Sequence, residues 1–156
     1  MDVISYHTQV FDAFTGMDPR EKNSLIQFIM QNGGGDCRQN ITSAIDYALK
    51  HKPSFGGFIL TMSAGEGPIA ALIANKTGME GYGPAYIFVY VTFHEKVKQM
   101  DLLAQKLLKK AISCTDGEIA MNISPDHPAL KSFKKIGFSS DQVGLRFSNT
   151  KSIVTT

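Results

Sequence analysis

The sequence predicts an α/β fold, a mixed central sheet flanked by helices, and three observations carry that expectation. Residues 85–138 read strand, basic loop, amphipathic helix, strand, Pro-Asp turn, helix and Gly-Phe. Two helical stretches precede them between 18 and 51, and a β-hairpin pattern fills 57–75. The chain has 156 residues, 43% hydrophobic and 19% charged, which is the composition of an ordinary globular protein. That length suits a single domain spanning 1–156 and can bury roughly 70% of the unfolded surface.

Residues 3–16 carry no decisive period and read as either an extended segment or a short helix. Asp18-Pro19-Arg20-Glu21 is a helix start, with an N-cap acid, Pro in the first turn and an acid three residues after the cap. Leu25, Ile26, Ile29 and Met30 supply one apolar face, and Gly33-Gly34-Gly35 ends the helix. Asp36 starts a second helix with Ile41, Ala44, Ile45, Ala48 and Leu49 on its apolar face, and Pro53 stops it. The two helices are expected to form a lid or flank over the sheet.

Residues 58–62 and 69–74 are strand-like and are joined by the turn Gly65-Glu66-Gly67-Pro68. The stretch 77–84, with three glycines, is a loop. Residues 85–91 are apolar without polar alternation, so this strand needs cover on both faces. Met100, Leu103, Ala104, Leu107, Leu108, Ala111 and Ile112 then form one wide stripe on a helix, opposite Gln105, Lys106, Lys109 and Lys110. Asp116-Gly117 breaks that helix and 118–123 is the next strand. Asp126 is the expected cap of a short helix running through Ile136 and closed by Gly137. In the tail, 143–155, Val143, Leu145 and Phe147 alternate as in one or two strands.

A formal charge of +2 is too small to imply a nucleic-acid partner, and the lysines around 96–110 mark one local site or a solvated helix face. No run approaches the ~20 apolar residues of a membrane span. Met1-Asp2 opens acidic with no long apolar run behind it, so a cytoplasmic protein is expected. Cys37 and Cys114 lack CxxC spacing and read as reduced thiols. The N-x-S/T matches at Asn40, Asn75 and Asn122 are then chance occurrences. His7, His51 and His94 show no metal-ligand spacing, and no metal is expected.

The run from Pro125 through Asp126-His127-Pro128-Ala129 and Phe133 to Gly137-Phe138, after strand, loop, helix and strand, resembles the GNAT N-acetyltransferase superfamily. The likeness covers about 57–147, with 18–51 in the place of the family's first two helices. It implies the GNAT-like acyl-CoA N-acyltransferase fold, acetyl-CoA as co-substrate and an amine acceptor. By that resemblance the backbone of Val89, Tyr90 and Val91 holds the pantetheine arm. Lys96, Val97, Lys98, Gln99, Met100 and Asp101 form the pyrophosphate loop at a helix N-terminus, where free N–H donors and the dipole favour an anion.

Several positions depart from the family pattern. Gln99 and Asp101 stand where small residues let the backbone approach phosphate. Asp101 also complements the helix dipole without needing any ligand. Phe133 replaces the Tyr that serves many members as general acid, and as an apolar residue it reads as core packing or cofactor contact. His127 replaces an Asn that contacts coenzyme A. Glu80 and Glu66 are the carboxylates available as a base, and Tyr86 or Tyr90 the hydroxyls available in place of the missing acid, with Tyr82 and Tyr86 on the acceptor side. Two readings follow: an N-acetyltransferase acting on a primary amine of a small molecule or protein, and a GNAT-fold binding or regulatory protein without catalysis. Homodimerisation through the tail strands is a further expectation.

Overall fold

The computed structural model describes residues 6–33, 35–50, 54–65, 67–97, 99–140, 144–145 and 147–148. In chain order it contains β1 (His7–Phe11), α1 (Pro19–Asn32), α2 (Arg38–Ala48), β2 (Gly57–Ala64), β3 (Gly67–Lys76), β4 (Tyr86–Phe93), α3 (Met100–Ser113), β5 (Ile119–Met121) and α4 (Leu130–Ile136). The strands form one sheet in the order β1-β2-β3-β4-β5. The first three pairings are antiparallel and β4–β5 is parallel, with α3 as the crossover. None of the helices in the described residues is long and apolar enough to cross a membrane.

The first helix starts where its sequence signal lies. Glu21 N–H donates to Asp18 Oδ1 at 2.7 Å, and Asp18 N–H donates back to Glu21 Oε1 at 3.3 Å, a complete capping box. The second helix differs from expectation: Cys37 is its N-cap and Asp36 lies one residue ahead. It already ends at Ala48, and Pro53 lies outside the described residues. The ambiguous stretch 3–16 contains strand β1, whose residues pair with β2.

Asp126 is not the cap of α4. It accepts a hydrogen bond from the Ser124 hydroxyl in a turn, while the ring of His127 takes the N–H of Ala129, the actual N-cap residue. The helix therefore begins at Leu130. Val143 and most of the expected tail strands lie outside the described residues, and 144–145 and 147–148 are not in strands.

Strand β3 separates two apolar cores. Ala70, Leu72 and Ala74 pack toward α3 and α4 with Leu103, Leu107, Leu108 and Phe133. Ala71 and Ile73 pack toward α1 and α2 with Ile26, Ile29, Ile41 and Ile45. The uninterrupted apolar run of β4 is explained in the same way. Phe88 belongs to the α3/α4 core, while Val89 and Tyr90 lie against the α1/α2 core.

Candidate functional site

Two irregularities coincide on β4. Along β3 the register passes from Ile73↔Tyr90 to Ala74↔Phe88, which leaves Val89 as the extra residue of a β-bulge. On its other edge β4 pairs with β5 only at Tyr86↔Ile119, Ile87↔Ala120 and Phe88↔Met121. Beyond that point β4 continues through Val89, Tyr90 and Val91 without a β5 partner, and the sheet opens. The bulge also explains why Val89 and Tyr90, though consecutive, both lie against the α1/α2 core while Val91 returns to the other.

His127 reaches into this opening. Its Nε2 lies 3.2 Å from the Val91 carbonyl, and its Nδ1 accepts from Ala129 N–H at 3.0 Å. One neutral tautomer, protonated on Nε2, satisfies both contacts. The ring packs 5.2 Å from Phe133 and edge-on to Phe93 at 6.2 Å. Phe133 itself is fully buried. The opening therefore gathers Val89, Tyr90, Val91, His127 and Phe133, and the Val91 carbonyl is already engaged.

At the same end of the sheet, the loop after β4 leads into α3. Lys96 N–H donates to His94 Nδ1 at 3.1 Å and Val97 N–H to the His94 carbonyl at 3.1 Å, with the Val97 side chain buried. Lys98 lies outside the described residues. Gln99 is the N-cap residue and makes no side-chain cap hydrogen bond, so the first-turn N–H donors of α3 are not capped by it. Met100 packs on the core behind. The Asp101 carboxylate is drawn sideways to α4, accepting from Ser132 Oγ at 2.6 Å and Lys135 Nζ at 3.3 Å, and also from Gln105 Nε2 at 3.0 Å. The Ser132 hydrogen bond, then Gln105 and Lys135, hold its carboxyl below the usual aspartate range.

On the α1/α2 face a cleft of about 390 Å³ borders the opening, lined by Asp36, Asn40, Ala44, Val89, Tyr90 and Asn122 among others. The Tyr90 hydroxyl donates to Asp36 Oδ2. Asp36 Oδ1 accepts from Cys37 N–H at 2.8 Å and from Asn40 Nδ2 at 2.9 Å. Burial first, then the Asp36 carboxylate, push the Tyr90 phenol far above its ordinary value. The Tyr90 and Asn40 hydrogen bonds hold Asp36 below its own, against the opposing effect of burial. The two groups stay as phenol and carboxylate across the neutral range, so the pair holds charge rather than shuttling protons.

Asp36, Asn40 and Asn122 are absent from the residues the sequence singled out for chemistry. The available signal was the Gly-Gly-Gly-Asp junction between two helices expected over the sheet. Glu80 and Tyr86 lie elsewhere. Tyr86 is at the paired start of β4, four residues and ~13 Å along the strand from Tyr90. Its ring packs 5.8 Å from Phe58 on the α3 side. Burial, then the charge of exposed Glu80, raises its phenol pKa. Tyr82 is 81% exposed, and Glu66 lies outside the described residues.

No family model and no curated protein matches the sequence. Solved structures do match the fold. A transcriptional regulator from Bacillus halodurans C-125 is similar over 92% of this chain and 100% of its own, with a TM-score of 0.62 and 13% identity. An aminoglycoside N-acetyltransferase in complex with CoA is similar over 94% and 97%, with a TM-score of 0.62 and 12% identity. A GNAT family acetyltransferase from Staphylococcus aureus subsp. aureus USA300_TCH1516 is similar over 94% and 100%, with a TM-score of 0.57 and 13% identity. With its mixed five-stranded sheet, flanking helices and opening beside β4, this chain has the GNAT acyl-CoA N-acyltransferase fold.

Proposed function

We propose that this chain is an acetyl-CoA-dependent N-acetyltransferase that transfers an acetyl group to a primary amine. One observation carries the reading: the strand opening, the bulge at Val89 and the cleft on the α1/α2 face meet at the same point of β4. A thioester threaded through such an opening is presented to an amine in the cleft. Backbone contacts along Val89 and Tyr90 need no particular side chain, so they suit an extended acyl-CoA arm despite the departures in sequence. The first-turn N–H donors of α3 suit its pyrophosphate. The amine would attack the carbonyl carbon and the thiol leave as thiolate, which at a pKa near ~8.5 departs tolerably without an acid. With Phe133 apolar and Tyr90 committed to Asp36, unassisted departure is the expectation.

Titrating acetyl-CoA into the purified chain by calorimetry, with CoA release followed by a thiol reagent in the presence of amines, tests the reading. Micromolar binding and amine-dependent thiol release are expected; no heat at millimolar acetyl-CoA sinks it. A second reading has its own support. The engaged Val91 carbonyl and the Asp101 carboxylate favour a GNAT-fold binding or regulatory protein without catalysis, and one similar structure is that of a transcriptional regulator. That reading predicts binding in the calorimeter without turnover, or neither. A cytoplasmic location and a homodimer belong to the proposal, the latter to be read from light scattering.

A further inference from the structure

The cleft beside β4 is unusual in its charge. Among the described residues lining it, Asp36 is the one charged side chain, and its hydrogen-bond partners are neutral: a phenol, a side-chain amide and a backbone N–H. An ionised carboxylate offers about four lone-pair sites, so three such donors leave about one for a ligand. The carboxyl is held in its ionised form by those same donors. The position is half-buried, where a charge pair is screened less than on an open surface. A cleft of this size, near the small end for ligand sites, suits a short molecule rather than a bulky one.

The fixed anion decides what kind of amine fits. An ammonium paired with a carboxylate has its pKa raised and keeps its proton, so it cannot attack a carbonyl. Asp36 is therefore badly suited to receive the reacting nitrogen and well suited to a second positive group on the same molecule. We propose that the cleft takes a short aliphatic diamine whose far ammonium is held by Asp36 while its near amine is acetylated. This rests on the acetyl-transfer reading and narrows its acceptor. The step balances simply. The near ammonium loses one proton to water, its nitrogen bonds to the acetyl carbon, and the carbon–sulfur bond breaks with its electron pair on sulfur. The second proton on the bonded nitrogen passes through water to the thiolate, leaving amide and free thiol.

The test compares 1,4-diaminobutane with n-butylamine in acetyl-CoA-dependent thiol release, using the wild type, Asp36→Asn and Asp36→Glu. The wild type should prefer the diamine by on the order of tenfold in kcat/KM, the scale of one hydrogen bond to a charged group. Asp36→Asn should abolish that preference through KM, Asp36→Glu should restore most of it, and circular dichroism melting should show both variants folded. Separately, 1,4-diaminobutane is titrated calorimetrically into the wild type and Asp36→Asn, with and without CoA. If monoamines are acetylated as well as diamines, or Asp36→Asn keeps the preference, the inference is overturned while the transfer reading stands. If no amine is acetylated but the diamine binds and Asp36→Asn abolishes binding, the transfer reading fails and the cation site stands. A diamine that binds the wild type under neither condition, and is not preferred in turnover, removes the site.

Discussion

The Asp101 carboxylate accepts from Ser132 on one oxygen and from Gln105 and Lys135 on the other, which ties the first turn of α3 to α4. The same negative charge sits where an anion would approach the helix N-terminus. Asp101→Asn keeps an acceptor for Ser132 and removes the charge. Acetyl-CoA affinity should then tighten roughly two- to fivefold, the scale of one exposed charge at a helix end. Unchanged affinity would put the pyrophosphate elsewhere. The carboxyl also leaves a pH signature. Its pKa is lower folded than unfolded, so its stabilisation is complete above the ordinary aspartate value of ~3.9 and is lost as pH falls through the lower folded value. Thermal melts between pH 5 and pH 2 should fall more steeply for the wild type than for Asp101→Asn. His127 presents a comparable conflict, since an extended ligand that pairs with β4 at Val91 must displace its ring. His127→Ala should lower the melting temperature, through two lost hydrogen bonds of about 0.5–1.5 kcal/mol each, and tighten acetyl-CoA binding. Weaker binding would instead make His127 a ligand to the arm.

Elements with their own signals were legible in the sequence. For α1 a capping box and an apolar face coincide, and for α3 a seven-residue stripe leaves little alternative period. The α1 signal is energetic as well as diagnostic. Asp18→Ala removes one of the two reciprocal bonds and should cost about 1 kcal/mol, which for this chain length lowers the melting temperature by about 2–4 °C. A melt unchanged within error would mean that α1 is fixed by packing alone. The short elements failed for a physical reason: their ends are set by partners distant in sequence. Strand β5 stops at Met121 because its pairing with β4 stops at Phe88, where the bulge begins. Helix α4 starts at Leu130 with no side-chain cap: the His127 ring, turned toward Val91, takes only the N–H of the N-cap residue Ala129, and Asp126 is engaged by Ser124.

At the scale of the whole molecule, the opening lies along Val89–Val91, the stretch that the resemblance gave to the pantetheine arm, whereas the cleft was not expected. Asp36 and Tyr90 are 54 residues apart and meet only because α2 packs across the sheet, so no local spacing announces them. Glu80 lies in the loop before the central strand and Tyr86 at the strand's start, with three β4 residues between it and Tyr90. Strand β3, like β2 and β4, contributes to both sides of the sheet. Leu72 and Ile73 are consecutive, both fully buried, and belong to opposite cores. Truncating either to Ala should cost about 2–5 kcal/mol, a large fraction of the ~5–15 kcal/mol that stabilises a typical domain. If 1–156 is one cooperative domain, each truncation weakens both cores together. Urea unfolding followed by far-ultraviolet circular dichroism and, in a chain without Trp, by tyrosine emission should then give one coincident transition for Leu72→Ala and for Ile73→Ala, each at lower midpoint than the wild type. Separate transitions, with Ile73→Ala moving only one of them, would mean that the α1/α2 layer unfolds on its own and that the acceptor side of the cleft is a detachable cover.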